Sequence, residues 1–276
     1  MPGHCSRPPG SLRTRQPFTP ARNEDETMQE LLLAGKKSGR YPGATTPIGR
    51  YVDPNNSARF TEFYGEVANS AMPSVAALRA LGGNVGSAIN TTIPWLKFGI
   101  DGRLLYTPKK PITSAYGWSA LYSSGLVWGS NDNGLFNNGT PRNQLRTIVL
   151  NGVTYKVMLW NVLQPGLGKL PYNGNYTNRT EMLGSDWMRL IPNIVSTTVS
   201  AQEGPKWETY DPVNDLMLIG GTTTPGGLQL CREQVNANDS LARAATVWSS
   251  IWTVGAPVIT DVQAYLGWRP VLEIIP

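Results

Sequence analysis

Two dipeptides constrain this chain more than anything else in it. Asp101-Gly102 separates Trp95-Leu96-Lys97-Phe98-Gly99-Ile100 from Arg103-Leu104-Leu105-Tyr106-Thr107, and Asn151-Gly152 separates Thr147-Ile148-Val149-Leu150 from the run between Val153 and Trp160. A two-residue type I′ loop needs positive φ at both central positions, which Asp-Gly and Asn-Gly tolerate, so each dipeptide predicts a tight antiparallel hairpin. The β-branched and aromatic residues on either side favour strands. Elsewhere 29 glycines and 22 prolines interrupt the 276 residues too often for long helices. Short strands joined by many turns follow, and an apolar fraction of 40% is enough to build a core.

The far end of the chain adds a second signature. Gly267-Trp268-Arg269-Pro270-Val271-Leu272-Glu273-Ile274 reads as a strand sealing a tryptophan-rich body, since Val271, Leu272, Ile274 and Ile275 are strand formers stopped by Pro276. Every tryptophan lies at or beyond Trp95. Trp95, Trp160, Trp187 and Trp268 sit in apolar runs and are assigned to the core. Tyr116, Trp118, Tyr122, Trp128, Tyr172, Tyr176, Trp207, Tyr210, Trp248 and Trp252 lie in or beside polar stretches, where a ring face can stack on a sugar or anchor a protein contact. Of these, Trp207, Tyr210, Trp248 and Trp252 are the candidates for surface recognition.

Composition divides the chain into three parts. Residues 1–50 form an N-terminal attachment arm, basic and rich in Pro, Ser and Thr, with one short helix over 24–34. Asn23 caps that helix, Glu24, Asp25 and Glu26 favour its start, Met28, Leu31 and Leu32 make its apolar stripe, and Gly35 ends it. Residues 51–94 read as linker and a small helical segment, in which Pro73 precedes Val75, Leu78 and Leu81 and Gly82-Gly83 stops the run. Residues 95–276 are the β-rich body, including a helix over Asp186-Trp187-Met188-Arg189-Leu190-Ile191 that Pro192 terminates. The fold class is thus α+β, a β-rich, loop-rich single body behind an extended arm.

Several kinds of chemistry are excluded at this level. The net charge of +5 is concentrated in residues 1–50, where eight Lys and Arg face four acids, so the body holds sixteen cations against fifteen acids and offers no basic groove for nucleic acid. The single histidine, His4, stands in the arm, which removes Ser-His-Asp and Cys-His catalysis. Cys5 and Cys231 are too few for a disulfide framework or a zinc cluster, and Cys231 reads as a small buried side chain. Asn131-Asp132-Asn133-Gly134 lacks the spaced oxygen series of a calcium loop and reads as a turn, so no metal and no cofactor is assigned. No apolar run is long enough to span a bilayer and no signal-peptide core follows the first arginines, which predicts a product made in the cytoplasm. A sugar-cleaving pair of carboxylates is the surviving catalytic possibility, with Glu208 and Asp211 or Asp215 as candidates beside Trp207 and Tyr210; solvated loop acids are the plainer reading.

Six segments stand in a characteristic order: Trp95-Leu96-Lys97-Phe98, Pro108-Lys109-Lys110-Pro111-Ile112, Val127-Trp128-Gly129-Ser130-Asn131-Asp132-Asn133-Gly134, Asn151-Gly152-Val153-Thr154-Tyr155-Lys156-Val157, Ser185-Asp186-Trp187-Met188-Arg189-Leu190 and Gly267-Trp268-Arg269-Pro270-Val271-Leu272-Glu273. Over residues 60–276 this succession resembles a family of bacteriophage virion structural proteins, tail-fibre-like or tail-associated. The departures are Met158, where the family often has Arg, and Glu233, where it often has Gly. The resemblance implies a non-enzymatic component of a tail fibre or tail-vertex appendage, resident in the virion and acting in assembly and host-surface attachment. Its expected partners are copies of itself, other tail or fibre subunits bound through residues 1–50, and a host surface glycan. The closing motif is similar to that of C-type-lectin-like and formylglycine-generating-enzyme-like folds, in which an aromatic-Arg pair locks a strand into the core. On that basis Trp268 and Arg269 form a structural clamp, with the guanidinium stacked on Trp268 or forked onto Asp186. The alternatives in function are a polysaccharide depolymerase and a stand-alone sugar-binding, lectin-like module.

Overall fold

The computed structural model describes residues 41–135, 140–164, 182–196, 202–211, 215–216, 228–234, 238–244, 253–255, 258–260 and 262–275. The arm helix over 24–34 lies outside them, as do Tyr172, Tyr176, Trp248 and Trp252.

The first two strands overturn the reading of 51–94 as linker. β1 (Gly49–Asp53) and the twelve-residue β2 (Asn56–Val67) form an antiparallel hairpin across Pro54-Asn55. Turn residues there close a sheet instead of spacing two domains, and the polar Thr61 and Glu62, both buried, hide the strand pattern of β2. Helix α1 (Val75–Leu81) follows at the expected place, with Ser74 as its cap: the hydroxyl accepts from Ala77 N at 3.1 Å. After the two-residue β3 (Ser87–Ala88) come the predicted hairpins, β4 (Trp95–Ile100) with β5 (Arg103–Pro108) and, beyond β6 (Thr113–Ser114) and helix α2 (Trp118–Ser123), β7 (Arg146–Leu150) with β8 (Val153–Met158). Both turns have the required backbone, with φ of +46° and +78° at Asp101 and Gly102 and +51° and +71° at Asn151 and Gly152.

Helix α3 (Asp186–Leu190) is capped by Ser185, whose hydroxyl accepts from Met188 N at 3.2 Å. The α-helix stops at Leu190, just ahead of Pro192, and the chain tightens into a 3-10 turn, Ile191–Ile194, with Pro192 in its first positions, where a missing N–H costs nothing. The remaining strands are β9 (Leu228–Gln234), β10 (Ser240–Ala244), β11 (Thr253–Gly255), β12 (Leu266–Trp268) and β13 (Val271–Ile274).

These strands make two sheets. The larger is antiparallel throughout in the order β1-β2-β4-β5-β13-β8-β7, so that β13 joins the two hairpins. The smaller runs β11-β10-β9-β12-β6-β3, with β9 and β12 parallel. The larger sheet is covered on both faces. Trp95, Leu104, Tyr106, Tyr155, Val157 and Leu272 face one core, shared with α1, α2 and the smaller sheet, while Phe98, Ile100, Leu105, Met158 and Val271 face a second core beneath α3. Burial on both sides is why β4 reads as an almost unbroken apolar run. Its one charged residue, Lys97, is fully buried, donates to Ala44 O at 2.6 Å and lies 5.1 and 5.8 Å from the ring centres of Tyr64 and Tyr106. Burial lowers its ammonium to about 8. Among the described residues no helix is long and apolar enough to cross a membrane. The architecture is a β-rich α+β body.

Candidate functional site

Of the four surface-recognition residues, Trp207 and Tyr210 belong to one described segment that is tied along the 3-10 turn after α3. Trp207 N donates to Asn193 O at 2.7 Å, Tyr210 N to Ile194 O at 2.9 Å, and Lys206 Nζ to Pro192 O and Val195 O at 2.8 and 2.6 Å. The indole of Trp207 is half-buried and lies parallel to Phe63 at 6.4 Å, with Gly49 beneath it: a Cβ there would stand 2.0 Å from Trp207 Cδ1. Trp207 is therefore held by packing on the larger sheet.

Tyr210, also half-buried, gathers the polar groups. Lys109 Nζ sits 4.0 Å from its ring centre, 2.8 Å from Glu66 Oε1 and 3.8 Å from Asp215 Oδ1. Burial raises the Tyr210 hydroxyl well above the ordinary phenol range, and the carboxylates of Glu66, Glu208 and Asp215 push it further the same way. Asp211 N donates to Asp215 Oδ2 at 2.9 Å. The charges of Glu208 and Asp215 both act on this phenol, as do those of Glu66 and its neighbour Lys109, which the sequence alone did not bring to it. A ring, an ammonium and several carboxylate oxygens suit recognition of hydroxyl groups.

The segment is positioned by a reciprocal ionic clamp beneath it. Asp101 and Arg103 flank the tip of the β4–β5 hairpin, while Asp186 and Arg189 lie three apart on α3. Arg103 forks onto Asp186 at 2.9 and 3.1 Å, and Arg189 forks onto Asp101, with Nη2 at 2.7 Å from Oδ1 and Nη1 bonded to Oδ2. Arg189 also donates to Phe60 O at 3.2 Å, and Asp101 accepts from Phe60 N at 2.8 Å. The network continues through Glu273, which takes Arg103 at 3.3 Å and Lys156 at 2.8 Å, and through Glu203, which takes Arg59 at 3.5 Å. Opposite charges two apart on a turn and three apart on a helix were the sequence signal for this clamp.

Arg269 takes neither of the partners expected for it, the Trp268 face or the Asp186 carboxylate. Asp186 is engaged by Arg103, and Trp268 packs edge to face on Tyr116 at 5.7 Å, since consecutive residues of an extended segment point to opposite faces. The fully buried Arg269 instead turns the chain from β12 in one sheet to β13 in the other. Its Nε donates to Pro108 O at 2.6 Å and its Nη1 to Gln229 Oε1 at 3.3 Å, while Thr107 Oγ1 donates to Pro270 O at 2.9 Å. Tyr116, Trp118 and Tyr122, assigned above to polar stretches, are core residues exposed by 1% or less. Asp132 closes an ordinary turn, accepting from Ser130 Oγ and Gly134 N at 2.5 and 2.8 Å, and the described residues contain no cluster of metal-binding side chains.

No family model matches the chain, and no curated protein and no solved structure matches it significantly.

Proposed function

We propose that the chain is a non-catalytic structural component of a bacteriophage virion, part of a tail fibre or tail-vertex appendage, with residues 1–50 docking on neighbouring subunits and identical copies assembling together. The observation that supports this reading most directly is where the six resemblance segments fall. Trp95–Phe98 is buried in β4, Pro108 and Ile112 bond to Arg269 and Trp268, and Val127 accepts from Leu159 N at 3.0 Å. Asn151–Val157 is a hairpin arm, Ser185–Leu190 is the clamped helix, and Gly267–Glu273 is the corner and central strand. Apart from the exposed turn at Asn131–Asn133, these segments are taken up largely in strands, helix and core, which suits a structural part. The C-type-lectin-like fold is part of the same proposal, resting on an aromatic-Arg pair that anchors the closing strand.

The Tyr210 cluster favours attachment to a host surface glycan over pure scaffolding, because it pairs a ring with hydroxyl-binding charges at a rigid position. The test is particle assembly with residues 1–40 deleted, which leaves β1 and the contacts of Pro42 and Ala44 with Tyr106 and Lys97 in place. Particles lacking this protein are the expected result, and retention at normal copy number refutes the docking role. Release of new reducing ends from host polysaccharide by the purified chain, lost in Asp215→Asn, would overturn the non-catalytic reading in favour of a depolymerase.

A further inference from the structure

The corner between the two sheets buries a positive charge that no carboxylate among the described residues pairs with. Arg269 is fully buried, Gln229 is 1% exposed, and the two are joined by the Nη1 to Oε1 bond. Beyond that bond, Arg269 Nη2 and Gln229 Nε2 have no hydrogen-bond partner among the described residues. Each of these nitrogens carries two N–H groups, and all of them are donors. The amide cannot be turned to relieve the shortage, because Oε1 is held against the guanidinium and the opposite orientation would set N–H against N–H.

Among the described residues no acid pairs with this guanidinium. Glu233, four residues along β9 from Gln229, takes Arg232 Nε at 3.1 Å, and Glu273, four residues beyond Arg269, takes Arg103 and Lys156. Burial alone, with no carboxylate opposing it, lowers Arg269 to about 9. A guanidinium holds its proton in folded proteins, so the cost of desolvation has to be met by something that accepts hydrogen bonds and carries negative charge. An internal water supplies only the first.

We propose that the corner binds one small monovalent anion, chloride in the cell, on the unused N–H groups of Arg269 Nη2 and Gln229 Nε2. The anion makes the turn from β12 into β13 electrically neutral and fixes the strand that joins both hairpins.

The experiment is thermal unfolding of the full chain at constant ionic strength, with chloride exchanged stepwise for gluconate, which is too large to be enclosed. Wild type is expected to show a Tm that climbs with the logarithm of chloride concentration, as for any ligand of the folded state. Gln229→Glu replaces the Nε2 donor with a carboxylate oxygen that neutralises Arg269 directly, and its Tm is expected to be flat in chloride. A wild-type Tm indifferent to chloride, or one that climbs equally in Gln229→Glu, overturns the proposal. Independently of how that variant folds, crystals of wild type grown in bromide should show an anomalous peak within hydrogen-bonding distance of Arg269 Nη2. A water at that place, without an anomalous signal, refutes it.

Discussion

Arg189→Met cuts the clamp at its more buried half. Arg189 is 5% exposed, and its loss strands the Asp101 carboxylate, whose side chain is 32% exposed, together with Phe60 O. Breaking a fully buried ion pair costs about 3–5 kcal/mol, and the water that reaches Asp101 brings the expectation here to about 2–4 kcal/mol. For a chain of this size that is a fall in Tm of roughly 5–12 °C. Asp101→Asn keeps a residue that tolerates positive φ and an acceptor for Phe60 N, so it should cost less, about 1–2 kcal/mol. In a double-mutant cycle measured by urea unfolding with unchanged slope, the pair should couple by about 1 kcal/mol or more. The effect also carries a pH signature. Burial alone raises the Asp101 carboxyl, but the hydrogen bond and charge of Arg189, with Phe60 N and Arg103, outweigh it and hold it below the ordinary range. Its contribution is present above the unfolded carboxyl pKa and is lost as pH falls through the folded value, so the gap between wild type and Arg189→Met must narrow in acid. A destabilisation under about 0.5 kcal/mol, additive single variants, or a gap independent of pH would each refute the clamp as an energetic unit.

Lys97, lowered to about 8 by burial, binds fewer protons folded than unfolded between that value and its ordinary one near 10.4, so folding gains stability as pH rises through this window. Wild type should gain on the order of 1–2 kcal/mol relative to Lys97→Met by pH 9.5, and a constant difference would contradict the assignment. Gly49→Ala sets a methyl 2.0 Å from Trp207 Cδ1, so the indole must leave its seat on Phe63. A loss of about 1–3 kcal/mol and a red shift of tryptophan emission are expected, and unchanged emission would show that Trp207 is not held there.

What the sequence disclosed is local chemistry. The two I′ dipeptides, the stop at Gly82-Gly83 and the four tryptophans set in apolar runs all depend on neighbours within a few positions, and the structure places them accordingly. The β1–β2 hairpin was hidden because its turn residues match linker chemistry and because Glu62 is buried against Arg50 at 3.4 Å and Tyr64 Oη at 2.6 Å, contacts invisible without the fold. Trp118 and Tyr122 lie in a stretch with no apolar run, yet they stack on one short helix at 5.4 Å. At Arg269 the residue was legible and its partners were not: Pro108 and Gln229 are 161 and 40 positions away. The Tyr210 cluster draws Glu66 and Lys109 from distant strand ends, so the sequence could supply only its local members, Tyr210, Glu208 and Asp215.

The placement of β13 bears on how the body is made. Both hairpins leave the ribosome long before Val271–Ile274, yet each keeps an unpaired inner edge, at β5 and at β8, until that strand slots between them. Such distant pairing gives a high contact order and a slow search, during which two sticky sheet fragments are exposed to one another and to other chains. A protein of this design therefore gains from anything that shields a half-built sheet until its last strand arrives.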